Sequence, residues 1–179
     1  MQYLLSPTPG VGPDEVLETL KLARSRITNA GDKSADPVYW DFSEWNSCTC
    51  GHVYAAAIGE EGTPADDEGL HVPGGLYAAT LKAIAAANAE VGDADGYRQS
   101  EGLEQTAEEW GVEAAQTMLA EVVSNLTSAR AREMVPDSRA FTSHLKAAAL
   151  GLLDNAIGKI ELEHEAARLK LAEREPVGA

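Results

Sequence analysis

Apolar residues return every three or four positions along most of this chain. Val16, Leu20, Ala23 and Ile27 are spaced by four, three and four, the stripe of an amphipathic helix. Pro13 suits a first helical position, and Asp14 and Glu15 suit the positive end of the helix dipole. Gly31, in "NAGDK", is a fitting C-terminal cap. Before this helix, "MQYLLSPTPGVG" reads as an extended lead. A short helix is predicted from about Cys50 to Ile58. Another is predicted over about residues 74–91, where Tyr77, Leu81, Ile84, Asn88 and Val91 repeat at helical spacing.

From about Glu101 the pattern becomes long and regular. Leu103, Ala107, Trp110, Ala114 and Met118 form one stripe, and Leu119, Val122, Leu126 and Ala129 continue it after a small shift. Val135-Pro136 stops that helix, and Asp137 or Ser138 is placed to cap the next. Phe141, Leu145, Ala148 and Leu152 lead into Leu153, Ile157, Ile160, His164, Ala167 and Leu171, a heptad-type seam. Two long helices around a Pro-Asp turn predict an antiparallel hairpin. Gly151 and Gly158, seven apart, predict a close approach by a neighbouring helix. The expected fold is therefore all-α, a multi-helix bundle with a long C-terminal antiparallel hairpin. Residues 1–100 form a helical region with an aromatic loop and acidic loops. Residues 101–179 form the hairpin, packed on the first part as one domain.

Composition narrows the core. Hydrophobic residues make up 44% of the chain but aromatics only 6%. Much of the remainder is alanine, which buries little area, so helices must approach closely. The net charge of −15 is uneven: residues 41–110 hold 14 acidic and 2 basic side chains. Such a surface disfavours nucleic acid and anionic lipid and favours a basic protein partner. No apolar run approaches the roughly 20 residues needed to span a bilayer, and no charged leader precedes an apolar stretch. With two cysteines, the expected setting is the cytoplasm of a bacterial host, or a virion.

Candidate chemistry concentrates in "EWNSCTCGHVYAAAIG", residues 44–59. Cys48, Cys50, His52 and His71 offer two sulfurs and two nitrogens, a donor set suited to zinc. The Cys-x-Cys spacing is tighter than the usual Cys-x2–4-Cys, and His71 lies across an acidic Gly- and Pro-rich loop. The same spacing lacks the two-residue gap of a redox pair. Helix-start chemistry is the simpler account, with Ser47 or Thr49 as cap and Cys50, Val53 and Ala57 facing the core. Ahead of it, Tyr39, Trp40, Phe42 and Trp45 form an aromatic loop, read as a lid over the core or, with Trp40 and Trp45, as a contact platform. "DADG", residues 93–96, lacks the oxygen donors of a calcium loop. Glu161-x-x-His164 has no second half to complete a di-iron site. Phosphate-binding glycine loops and nucleophile elbows are absent from the sequence.

At "WDFSEWNSCTCGHVYAAAIG" the chain resembles a loose group of small uncharacterised proteins from actinobacteria and their phages. In that group an aromatic stretch precedes a Cys-Gly helix start. Phe42, Trp45, Cys50-Gly51, the following alanines and Gly59 carry the likeness, which spans about residues 13–62. Ala55 stands where the group has a second cysteine, and Cys48 is additional. The resemblance implies an origin and carries no activity with it.

With no catalytic constellation in view, the expected function is a non-enzymatic accessory protein that binds other proteins, phage-encoded or phage-like. A helical adaptor of a virion assembly and a small zinc-binding module are the alternatives. The charged end of the last helix, "IELEHEAARLKLAERE", is too long to bury within one small domain. It predicts homo-oligomerisation through Ile157, Ile160, His164 and Leu171.

Overall fold

The computed structural model describes residues 10–29, 48–58, 75–91, 112–135 and 144–174, the side chains of Ile58, of residues 112–118 and of residues 173 and 174 excepted. All five elements among these residues are helices, and no strand occurs among them: α1 (Pro13–Asn29), α2 (Thr49–Ile58), α3 (Leu76–Ala87), α4 (Val112–Glu133) and α5 (Leu145–Arg174). Trp40, Trp45 and the rest of the aromatic loop lie outside the described residues. So do His71, the acidic loops, "DADG", the Pro136-Asp137 turn, and the stripe from Leu103 to Trp110.

Helix α1 starts where its sequence says it should. Gly12 precedes Pro13, and the Glu15 carboxylate reaches back to accept the Gly12 N–H at 2.9 Å, half of a capping box. Its stripe of Val16, Leu20, Ala23 and Ile27 is buried, with Leu20, Ala23 and Ile27 fully so. Helix α3 is entered through Gly75, whose φ of 113° lies in the left-handed region open to glycine. It ends earlier than the predicted residue 91. Asn88 turns its carboxamide back to donate to the Ile84 carbonyl at 2.8 Å, and a turn joins the Val91 N–H to the Asn88 carbonyl. The side chain thus satisfies a carbonyl that a further helical turn would have used. The predicted stripe still holds, since Tyr77, Leu81, Ile84 and Asn88 are all buried.

One continuous core joins all five helices, drawing on Leu20 and Ile27 of α1, Val53 of α2, Leu81 and Ile84 of α3, Val123 of α4, and Leu152 and Leu153 of α5. Helix α1 packs on α2, α3 and α5, and α4 packs on α2, α3 and α5. Where the chain leaves α4 and starts α5, Ala131 joins Leu145 and Ala148 in a smaller buried group. Helices α1 and α5 run antiparallel, as a ladder of polar contacts shows. Lys146 Nζ donates to the Thr28 carbonyl at 3.0 Å, Arg24 binds Asp154 through two N–H groups, Lys21 pairs with Glu161 at 3.1 Å, and His164 lies 3.6 Å from Asp14. Position numbers fall along α1 as they rise along α5.

The expected close approach at Gly151 and Gly158 is absent among the described residues. A β-carbon added at either glycine would meet nothing within 4 Å. No helix of the same chain is packed onto either glycine among the described residues, and Gly158 borders an open groove with Ala87 and Leu162.

Candidate functional site

Cys48 and Cys50 are both free and buried, and the fold gives each a different task. Cys48 sits immediately before α2, and its sulfur accepts the Gly51 N–H at 3.2 Å. That is the bond an N-cap hydroxyl would make to the third helical residue, here made by sulfur. Thr49, an expected cap, has another role: its hydroxyl lies 3.1 Å from that of Thr127 on α4, both residues being completely buried. Thr127 in turn donates to the Val123 carbonyl of its own helix at 2.9 Å. Ser47 lies outside the described residues.

The Cys50 thiol points the other way, donating to the Ala120 carbonyl of α4 at 3.2 Å and lying 3.6 Å from the Ser124 hydroxyl. Burial pushes its pKa up to about 12, and burial also raises that of Cys48. A thiol that resists ionisation is a weak nucleophile, so neither cysteine is poised for thiolate chemistry near neutral pH. The Tyr77 hydroxyl is buried beside this group and is raised in pKa chiefly by desolvation, with the two thiols adding to it. Its ring meets that of Tyr54 edge to face, centroids 5.5 Å apart.

His52 faces the core one turn along α2 and is only 8% exposed. Burial, reinforced by Arg26 and Lys146, lowers its pKa to about 4, so it is neutral at pH 7. The two sulfurs and this imidazole do not form a common donor set. Among the described residues no group of three or more His, Cys, Asp or Glu is placed to hold a metal ion. The fourth candidate, His71, lies outside them.

Periodicity alone did not reveal a polar anchor between α3 and α5. Asn88, 1% exposed, donates to the Leu152 carbonyl at 3.0 Å as well as to Ile84, and its oxygen accepts the Asn155 amide at 2.8 Å. Lys159 reaches the Ala86 carbonyl at 3.4 Å. Asn88 falls on an apolar stripe of the sequence, and an amide in that position is itself the signal of a buried partner.

The remaining candidates lie on α5. Ile160 is buried and Ile157 half-buried against the core, where α1, α3 and α4 also pack. His164 is half-buried opposite Asp14. Leu171 is 65% exposed, and Leu162 and Leu169 are 73% and 53% exposed. The predicted contact surface is thus divided: its first half is internal packing and its second half is bare.

These features define an all-helical protein with buried, protonated thiols and a long helix whose end carries exposed leucines. No helix among the described residues is long and apolar enough to cross a membrane. No family model, curated protein or solved structure matches the chain.

Proposed function

We propose that this protein is a non-enzymatic accessory factor that acts by binding other proteins, with the distal part of α5 as its binding element. The observation that carries this reading is the exposure of Leu162, Leu169 and Leu171 on one charged helical segment. An amphipathic helix bearing spaced apolar anchors is a common protein-recognition device. The protonation of both thiols and the neutrality of His52 further support a role without nucleophilic chemistry. The net charge of −15 favours a basic partner, and self-association through the same helix belongs to this reading.

Affinity capture with the full chain, in parallel with its Leu169→Glu and Leu171→Glu variants, tests the role. The expected result is a stoichiometric partner that the wild-type chain retains and the variants lose, with unchanged helical circular dichroism. Equal capture by all three chains would refute the assignment of the distal helix.

A further inference from the structure

The distal part of α5 carries two apolar stripes. Ala167 and Leu171 continue the seam that α1 covers further back. Leu162 and Leu169, seven apart, share a different face with Ala166 and Gly158. Leu162, Ala166 and Gly158 also line a shallow groove, completed by Ala87, Asp154, Asn155, Lys159 and Glu163. The absence of a side chain at Gly158 leaves that groove open, since a β-carbon there would touch nothing. Exposed charge is sorted along the same segment: Glu161, Glu163 and Glu165 come first, and Arg168 and Lys170 follow.

We propose that a second copy of this chain covers this face, its α5 antiparallel to the first, with the twofold axis passing beside Ala166. The inference rests on the reading of distal α5 as a binding element and names its occupant, face and register. In that arrangement Leu162 lies alongside Leu169 of the second copy. Glu163 faces Lys170 and Glu165 faces Arg168 of the second copy, each to within about one residue's rise of 1.5 Å. The twofold repeats every pair, so acidic turns meet basic turns at both ends. The end of the second α5 then runs into the groove beside Gly158. A parallel pair would instead hold Glu161, Glu163 and Glu165 of both copies at one level, where like charges repel. Within one helix Arg168 donates to Glu165 at 2.7 Å, a bond that the pairing with the second copy would replace. The face used differs from the heptad seam through Ile157, Ile160 and Leu171, whose first half is occupied by the protein's own core.

Light scattering on the full chain over a concentration series should show the mass rising from one copy to two. Glu163→Lys and Lys170→Glu should each weaken dimerisation about tenfold, because each substitution appears twice and turns attraction into repulsion. An equimolar mixture of the two variants should restore it, since both charge pairs are then complementary. Under mild oxidation Ala166→Cys should link to itself, whereas Leu162→Cys should not. The native thiols are buried and do not compete. A monomer at every concentration, a mixture that fails to recover, a missing Ala166→Cys link or a self-linking Leu162→Cys would each overturn the proposal. A monomeric chain whose captured partner is lost on Leu169→Glu substitution would refute self-pairing alone and leave the binding role standing.

Discussion

Along α5, Leu145, Leu152 and Leu153 are at most 1% exposed, while Leu162, Leu169 and Leu171 on the same unbroken helix are 53–73% exposed. Both halves carry leucines at helical spacing, but residues 145–160 hold three charged side chains and residues 161–174 hold seven, and the halves differ too in what lies beside them. Helix α1 begins at Pro13, and its neighbour Asp14 is level with His164. At about 1.5 Å per residue, the 17 residues of α1 cover little more than half of the 30 residues of α5. Beyond that level the seam outlasts its partner, which leaves Leu171 bare, whereas Leu162 and Leu169 are exposed because they lie on a different face from the seam. An apolar repeat therefore states that a face wants burial, and the length of the neighbouring helix decides how far burial extends.

The contrast is broken most forcefully inside the core. Leu152→Ala should cost about 2–5 kcal/mol of unfolding free energy, through lost burial and the cavity left behind. Urea titration followed by circular dichroism would measure it, and a loss below about 1 kcal/mol would contradict the packing described.

A pH dependence comes from His52, which burial chiefly holds neutral, with Arg26 of α1 and Lys146 of the proximal half of α5 adding to it. The unfolded chain takes up a proton on this histidine near its ordinary pKa of 6.5, the folded protein only near 4. Stability is unaffected by this group above about pH 6.5 and falls as the pH drops from there toward 4, by up to about 3 kcal/mol. Thermal midpoints of His52→Gln should therefore fall less steeply between pH 7 and pH 4.5 than those of the wild-type chain. Parallel slopes would count against the buried, neutral imidazole.

Asn88→Ala strips the carboxamide that ties α3 to the Leu152 carbonyl and to Asn155. Leaving those buried groups unmatched should cost about 1–3 kcal/mol. Amide exchange should quicken first at the end of α3, and exchange that quickens uniformly would deny it an anchoring role. The ladder between α1 and α5 matters less. Arg24→Gln removes an exposed pair with Asp154 and should cost about 0.2–1 kcal/mol, a difference that shrinks in high salt. A salt-independent loss would point to packing by the arginine stem. Smallest of all, Leu162→Ala should shift stability by no more than about 0.5 kcal/mol at dilute concentration. A larger loss in a monomer would mean that the distal helix is part of the core.

Several local features were legible in the chain. The limits of α1, the buried stripe from Tyr77 to Asn88 and the core-facing Cys50 and Val53 follow from spacing and end signals that act within a few residues. Other expectations failed for want of a third dimension. The cap of α2 is the Cys48 sulfur because Thr49 is drawn to Thr127, 78 residues away. Gly151 and Gly158 looked like a docking surface for a neighbouring helix, yet they face open space. Spacing does not single out the second stripe through Leu162 and Leu169, because a helix apolar on two faces has no single dominant period. Nor does spacing say what the two thiols do: Cys48 caps α2, while Cys50 donates to the Ala120 carbonyl of α4.

By itself the sequence determined that this protein is helical, where α1 begins and which stripes seek burial, since hydrogen bonding and turn chemistry within a helix depend on near neighbours. Only the tertiary structure decided which stripe is covered and which is left bare, which hydroxyls pair and how far a thiol or an imidazole is pushed from its ordinary proton affinity. Those outcomes depend on groups brought together from distant parts of the chain, and on the simple mismatch in length between α1 and α5.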